Sequence, residues 1–289
     1  MKLIEQEIAL SLKNILLAVD FSAASESAVL YAQAISRRCL SNVHTIHVNG
    51  PDSYHLLPPE AFQVAVRDCQ APPNNIVHVV EVLLQGLPNE VPLRQGGIWE
   101  VIGDVVSRNN IDLLVLGTHG RSGFPKFLLG SVAEQVFRNV HCPVLTVGPQ
   151  AYCARKLAFQ KILLASDLDP RSAAPLYASW LCNEFNGSLT ALHVIGADSG
   201  ENSGEEHKAS QLEAMLTLDD TARPPRIIIE HGSPATVILE KIAELRPAIV
   251  VLGARHPARS GLAAHLPWST TTKVIAEAQC PVLTVRELD

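Results

Sequence analysis

Short apolar runs without alternation recur along the chain, separated by stretches in which apolar residues return every three or four positions. Residues 15–20 read ILLAVD, 43–48 VHTIHV and 113–116 LLVL, and 142–147 CPVLTV. Runs this short, bounded by polar or turn residues, suit strands buried on both faces of a parallel sheet. Between them, Ala28, Ala32, Ile35 and Cys39 share one face of a helix opened by Ser22, and Val101, Ile102, Val105 and Val106 share a face of a helix from Ile98. A further strand is expected at 76–84, a short helix around 59–69, and a loop interrupted by Gly and Pro between 84 and 98.

The pattern then repeats. KNILLAVDFS at 13–22 faces KILLASDLD at 161–169, and HTIHV at 44–48 faces ALHV at 191–194. LLVLGTHG at 113–120 faces VVLGARH at 250–256, and CPVLTV stands at 142–147 and again, letter for letter, at 280–285. Four matching segments in one order make a tandem duplication, whose long period excludes a solenoid. The expected domains are residues 1–150 and 157–289, with a linker around 148–156. Alternating strands and helices in each predict an α/β fold: a five-stranded, doubly wound parallel sheet, Rossmann-like, whose ligands sit at the carboxyl ends of the strands.

The chemistry concentrates at 111–131, IDLLVLGTHGRSGFPKFLLGS. An apolar run stops at Gly117; Gly120, Gly123 and Gly130-Ser131 follow; Val132, Val136 and Val140 then fall at helical spacing. Strand, glycine-rich loop and helix start together present bare backbone N–H groups and a positive dipole end to an anion. Ser131 serves equally as a phosphate contact or as the N-cap of its helix. Asp20 ends an apolar strand, so its carboxylate either accepts hydrogen bonds from a ligand or caps the following helix. Arg121, Lys126 and His119 lie inside the loop, as phosphate partners or as solvated side chains, whereas His44, His47 and His193 read as structural.

The spacing Gly117, two residues, Gly120, nine residues, Gly130-Ser131 resembles the ATP-binding signature of the universal stress protein family, G-x2-G-x9-G-[S/T]. It is neither a Walker A loop nor a dinucleotide fingerprint. The resemblance covers nearly the whole chain and implies two tandem domains of the adenine nucleotide alpha hydrolase-like type. It implies ATP, with Mg²⁺ as a companion ion, beside Asp20, with adenine against the backbone of Val48. Ribose and phosphates would lie on Leu116, Gly117, Gly120, Gly130, Ser131 and Val132. It also implies pairing of the two domains along their fifth strands, at Val144–Val147 and Val282–Val285, leaving other surfaces for a homodimer.

The second copy keeps Asp167, Val194 and Gly253, but His256 replaces the second glycine and Pro267-Trp268 stands where Leu129-Gly130 did. Proline lacks an N–H and tryptophan fills space, so weak or absent ATP binding is expected there. Arg255, His256, Arg259 and His265 leave open a different anion site; a purely structural partner is the other reading.

Composition narrows the classes. The 289 residues are 47% hydrophobic and 18% charged, with net charge −6, which excludes a disordered chain. Without a basic, aromatic-interleaved stripe, nucleic acid is not an expected partner. No apolar run is long enough to cross a bilayer, and the acidic N-terminus lacks a signal-peptide core, so membrane is not expected either and a cytoplasmic protein is. The six cysteines form no C-x-x-C pair or zinc spacing. The leading expectation is an ATP-binding stress-response sensing module. A slow ATPase and a nucleotide-free dimerisation scaffold are the alternatives, and no catalytic base is evident.

Overall fold

The computed structural model describes residues 10, 12–20, 23–49, 93–95, 97–118, 136, 140–148, 151, 159–196, 204–216, 223–254 and 266–286. The first copy runs β1 (Asn14–Ala18), α1 (Ala23–Cys39), β2 (Asn42–Asn49), β3 (Leu93–Gln95), α2 (Ile98–Arg108), β4 (Leu113–Gly117) and β5 (Val144–Val147). The second runs β6 (Lys161–Ser166), α3 (Ala174–Phe185), β7 (Ser188–Ile195), α4 (Glu205–Ala214), β8 (Arg226–His231), α5 (Pro234–Leu245), β9 (Ile249–Gly253), α6 (Leu266–Glu277) and β10 (Val282–Val285). One ten-stranded sheet results, in the order β3-β2-β1-β4-β5-β10-β9-β6-β7-β8. Each half is the five-stranded, doubly wound parallel sheet that the repeated pattern predicts.

The unalternating runs bury both of their faces. Ile15 and Leu17 join one apolar cluster with Ala28, Ala32 and Ile35 of α1 and Leu181 of α3. Leu16, between them, joins the other, with Ile102 of α2, Ile238 of α5 and Ile275 of α6. Side chains alternate across the sheet while the sequence does not, because helices cover both sides. Both clusters draw residues from both copies, so each core continues across the whole sheet.

The strand beside β2 corrects one expectation. It is Leu93–Gln95, inside the stretch read as a loop, pairing parallel with His47–Asn49. Pro92 precedes it and Gly96-Gly97 follow; three residues on a sheet edge carry no periodic signal, and a proline is tolerated there. The segments at 59–69 and 76–84, and Ser22, lie outside the described residues.

The seam between the halves is the single antiparallel pairing of the sheet, between the two CPVLTV segments. Leu145 faces Leu283, Thr146 faces Val282 and Val144 faces Thr284. Each threonine hydroxyl donates across the seam to a carbonyl, Thr146 to Val282 at 3.0 Å and Thr284 to Val144 at 3.2 Å. Buried threonines thus satisfy their hydroxyls without breaking the ladder. Above the seam, Phe159 packs 6.0 Å from Tyr31 of the first copy and edge-on to Phe185, at 4.8 Å. Arg38 reaches from α1 to the Glu184 carboxylate on α3 at 2.9 Å.

Both copies close the end of their fourth strand in the same way. A Cβ on Gly117 would lie 3.0–3.1 Å from the Ser25 nitrogen and from Ala24, in the first turn of α1. A Cβ on Gly253 would lie 2.7 Å from Ser172 Oγ, just before α3. A side chain at Gly117 would push on helix backbone, and one at Gly253 would displace the Ser172 hydroxyl. Gly117→Ala should cost about 1–3 kcal/mol through overpacking against backbone, read as a lower urea midpoint with an unchanged slope; a change below 0.5 kcal/mol would contradict this packing.

Candidate functional site

In the first copy the strand order turns between β1 and β4: β2 and β3 lie to one side, β5 to the other. Connections leaving such neighbours diverge and open a crevice at the carboxyl edge, where ligands of doubly wound sheets bind. Register places the sequence-derived residues on that edge. Ala18 pairs with Ile46 on one side and with Leu116 on the other. Asp20, Val48 and Thr118 each stand two residues beyond this line, with Gly117 one residue beyond it.

The backbone around Asp20 is held from three directions. The Val19 N–H donates to the Ile46 carbonyl at 2.9 Å, continuing the ladder past the end of β1. The Val19 carbonyl accepts from His47 Nδ1 at 2.7 Å; a carbonyl cannot donate, so Nδ1 carries the proton. The Asp20 N–H donates to the buried Ser25 hydroxyl at 3.2 Å. Across the crevice, the Thr118 N–H donates to the Val147 carbonyl at 3.0 Å, tying the exit of β4 to β5.

The structure thus brings Asp20, Val48, Leu116 and Gly117 to one rim. Leu116 is buried in the core below it, while Asp20 and Val48 are partly buried. Gly120, Gly130, Ser131 and Val132 lie outside the described residues, as do His119, Arg121 and Lys126. Val136 and Val140, from the line of valines beyond Ser131, are buried one helical turn apart, the Val140 N–H donating to the Val136 carbonyl at 2.9 Å. The glycines are read from the sequence either as room for ribose and phosphate or as serving the backbone alone; at Gly117 the first turn of α1 crowds the place of a side chain.

The second rim is built on the same register and wired differently. Ala165 pairs with Leu192 and Leu252, so Asp167, Val194 and Ala254 take the places of Asp20, Val48 and Thr118. Asp167 is exposed, and its Oδ1 accepts the Asp169 N–H at 3.2 Å. Leu168 between them adopts φ 62° and buries its side chain. The Asp169 carboxylate takes the Arg171 N–H at 3.0 Å, and Nε and Nη2 of the same arginine at 3.2 and 2.9 Å. Asp169 and Arg171 thus pair through both carboxylate oxygens, and sequence reading missed them because Asp167 alone drew the comparison with Asp20. Pro267 and Trp268 fall in the opening turn of α6. A proline there removes one of the N–H groups that a helix start would offer an anion. Arg255, His256, Arg259 and His265 lie outside the described residues.

Among the described residues, no group of three His, Cys, Asp or Glu side chains is placed to hold a metal ion. Burial pushes the Cys142 and Cys280 thiols up to about 12, which leaves them protonated and unreactive. Cys69 and Cys153 lie outside the described residues. No described helix is long and apolar enough to cross a membrane.

His193 repeats the bond of His47, its Nδ1–H donating to the Ser166 carbonyl at 2.9 Å. Burial lowers its pKa below the ordinary 6.5, against the opposing pull of that carbonyl, and Lys208 lowers it further. The folded chain therefore binds fewer protons than the unfolded chain just below pH 6.5, and stability falls as pH drops through that window. Urea midpoints between neutral and mildly acidic pH should fall less in His193→Asn, which keeps a donor at the Nδ1 position and removes the titration. Equal slopes would show that His193 does not carry this dependence.

The chain matches the universal stress protein family twice, over residues 11–148 and 158–286. Universal stress protein MJ0531 of Methanocaldococcus jannaschii is 29% identical over 138 residues, covering 47% of this chain and 81% of its own length. A universal stress protein of Mycolicibacterium smegmatis is 24% identical over 295 residues, covering 94% of this chain and 97% of its own. The crystal structure of a universal stress protein from Archaeoglobus fulgidus superimposes with a TM-score of 0.66 at 23% identity, covering 94% of this chain and 98% of that one, a likeness of fold. Two matches in tandem and one architecture end to end make this chain a member of the universal stress protein family, carrying two copies of its domain.

Proposed function

We propose that the first copy binds an adenine nucleotide, ATP, at the β1–β4 switch point, and that the chain works as a nucleotide-dependent sensing module of the stress response in the cytoplasm. The observation that carries this reading is the rim itself: Asp20, Val48 and Thr118 level on three adjacent strands, with the Asp20 backbone fixed by Ser25 and His47. In this reading the Asp20 carboxylate accepts from ribose hydroxyls or an exocyclic amine, and the backbone at Val48 meets adenine. Leu116, Gly117, Gly120, Gly130, Ser131 and Val132 form the loop for ribose and phosphates, whose charge suits bare N–H groups and a helix start. Mg²⁺ would enter with the nucleotide, on its phosphate oxygens. The second copy, with Asp167 and Asp169 engaged in local hydrogen bonds and Pro267-Trp268 opening α6, is read as the structural partner. The boundaries follow the sequence reading, residues 1–150 for the nucleotide-binding domain and 157–289 for its partner. A homodimer would use surfaces other than β5 and β10, which pair with each other inside the chain.

A specific observation favours a second reading, that of a nucleotide-free pairing scaffold. Gly117 is crowded by the first turn of α1 without any ligand, and Gly253, crowded by the Ser172 hydroxyl, belongs to the copy expected not to bind. Calorimetric titration of the full chain with Mg·ATP separates the two. The nucleotide reading expects one site per chain, abolished by Gly130→Trp with the thermal midpoint unchanged, since Trp268 shows what the repeat tolerates at that position. No heat at millimolar ATP would leave the scaffold, whereas undiminished binding in Gly130→Trp would overturn the assignment of the phosphates to this loop.

A further inference from the structure

We propose that His47 and Ser25 act as a two-sided clamp on a single peptide unit, making them positioning residues for Asp20; for its ligand arm this rests on the nucleotide reading above. The Val19–Asp20 peptide lies at the point where the chain leaves the sheet. Its carbonyl accepts from His47 Nδ1 at 2.7 Å, and its N–H donates to Ser25 Oγ at 3.2 Å. The two partners come from different elements, His47 from β2 and Ser25 from the first turn of α1.

A peptide plane held at both its oxygen and its nitrogen cannot rotate about the adjoining φ and ψ bonds without breaking a hydrogen bond. The clamp therefore fixes the position of the Asp20 Cα and the N–Cα axis about which its Cβ turns, which narrows where the carboxylate can go. The packing supplies the clamp's rigidity. Ser25 is 2% exposed, and its backbone nitrogen lies where a Cβ on Gly117 would fall at 3.0 Å. Gly117 thus admits Ser25 to the rim, and Ser25 fixes Asp20. His47 immediately precedes Val48, so one strand end orients the carboxylate and presents the Val48 backbone beside it.

Comparison of the copies isolates this arrangement. His193 donates to the Ser166 carbonyl at 2.9 Å, as His47 does to Val19. Ser172, which aligns with Ser25, instead accepts the Ala174 N–H at 3.3 Å. The histidine half of the clamp recurs in both copies, and at Asp20 the Ser25 hydroxyl joins it on the aspartate N–H.

The test uses the full chain with His47→Leu and His47→Asn, each alone and combined with Asp20→Ala. Asparagine places an amide N–H near the position of Nδ1; leucine places none. In the ligand-free chain, His47→Leu should speed hydrogen exchange of the Asp20 amide by about tenfold, the loss of roughly one hydrogen bond's worth of protection, and His47→Asn should restore it. Calorimetry with Mg·ATP should show affinity weakened by about tenfold in His47→Leu and recovered in His47→Asn. In the Asp20→Ala background, His47→Leu should change affinity no further, because the carboxylate it orients is gone. Unchanged exchange at Asp20 would overturn the clamp. An equal loss of affinity with and without the Asp20 carboxylate would reduce His47 to a purely structural role. Failure of the wild-type chain to bind ATP would overturn the nucleotide reading instead, with the exchange measurement still deciding the clamp.

Discussion

The antiparallel pairing of β5 with β10 is the interaction on which the rest of the molecule depends. Either half alone would leave a buried-type strand, VLTV, as an unpaired edge with its ladder groups bare. Because both segments are identical, Leu145 meets Leu283 at the centre and each threonine hydroxyl closes on a carbonyl opposite. The pairing also sets the geometry of function. Strands of the first copy run opposite to those of the second, so the two carboxyl rims open on opposite edges of one sheet. Two switch points in one continuous core are thereby kept apart, and the duplicated domains are free to diverge.

That divergence is a matter of hydrogen-bond wiring more than of fold. Register, the strand-end glycine and the histidine–carbonyl bond are the same at both rims. What differs is where the carboxylates are engaged. In the second copy Asp167 closes a turn onto Asp169, which in turn grips Arg171 through both of its oxygens. In the first copy the Asp20 N–H donates to Ser25 Oγ and the Val19 carbonyl accepts from His47 Nδ1. The second rim is closed by an Asp–Asp–Arg turn, and the first carries Asp20 on a peptide tied to β2 and to α1.

Most of the architecture was legible in the chain because burial on both faces leaves a distinctive mark. The runs at 15–18, 113–116 and 144–147 had no alternation to confuse, and the duplication confirmed each against its copy. β3 escaped because its three residues on an edge are too few to show a period. The rim was legible wherever a residue follows a strand end, as Asp20 and Val48 do. The reason for Gly117 was read only in part: no sequence pattern reveals that Ala24 and Ser25 press against it. His47 was read as structural, and its bond to the carbonyl preceding Asp20 could be found only in three dimensions, although the shared His-Val of the two repeats was the available hint.

In the function proposed above, one rim takes an adenine nucleotide and the other does not. A crystal structure of the full chain with a non-hydrolysable ATP analogue tests it most directly. Density for one nucleotide per chain is expected, its base against the Val48 backbone and its sugar beside Asp20, with the rim at Asp167 and Val194 bare. Density at the Asp167 rim, at both rims equally, or at neither would contradict it.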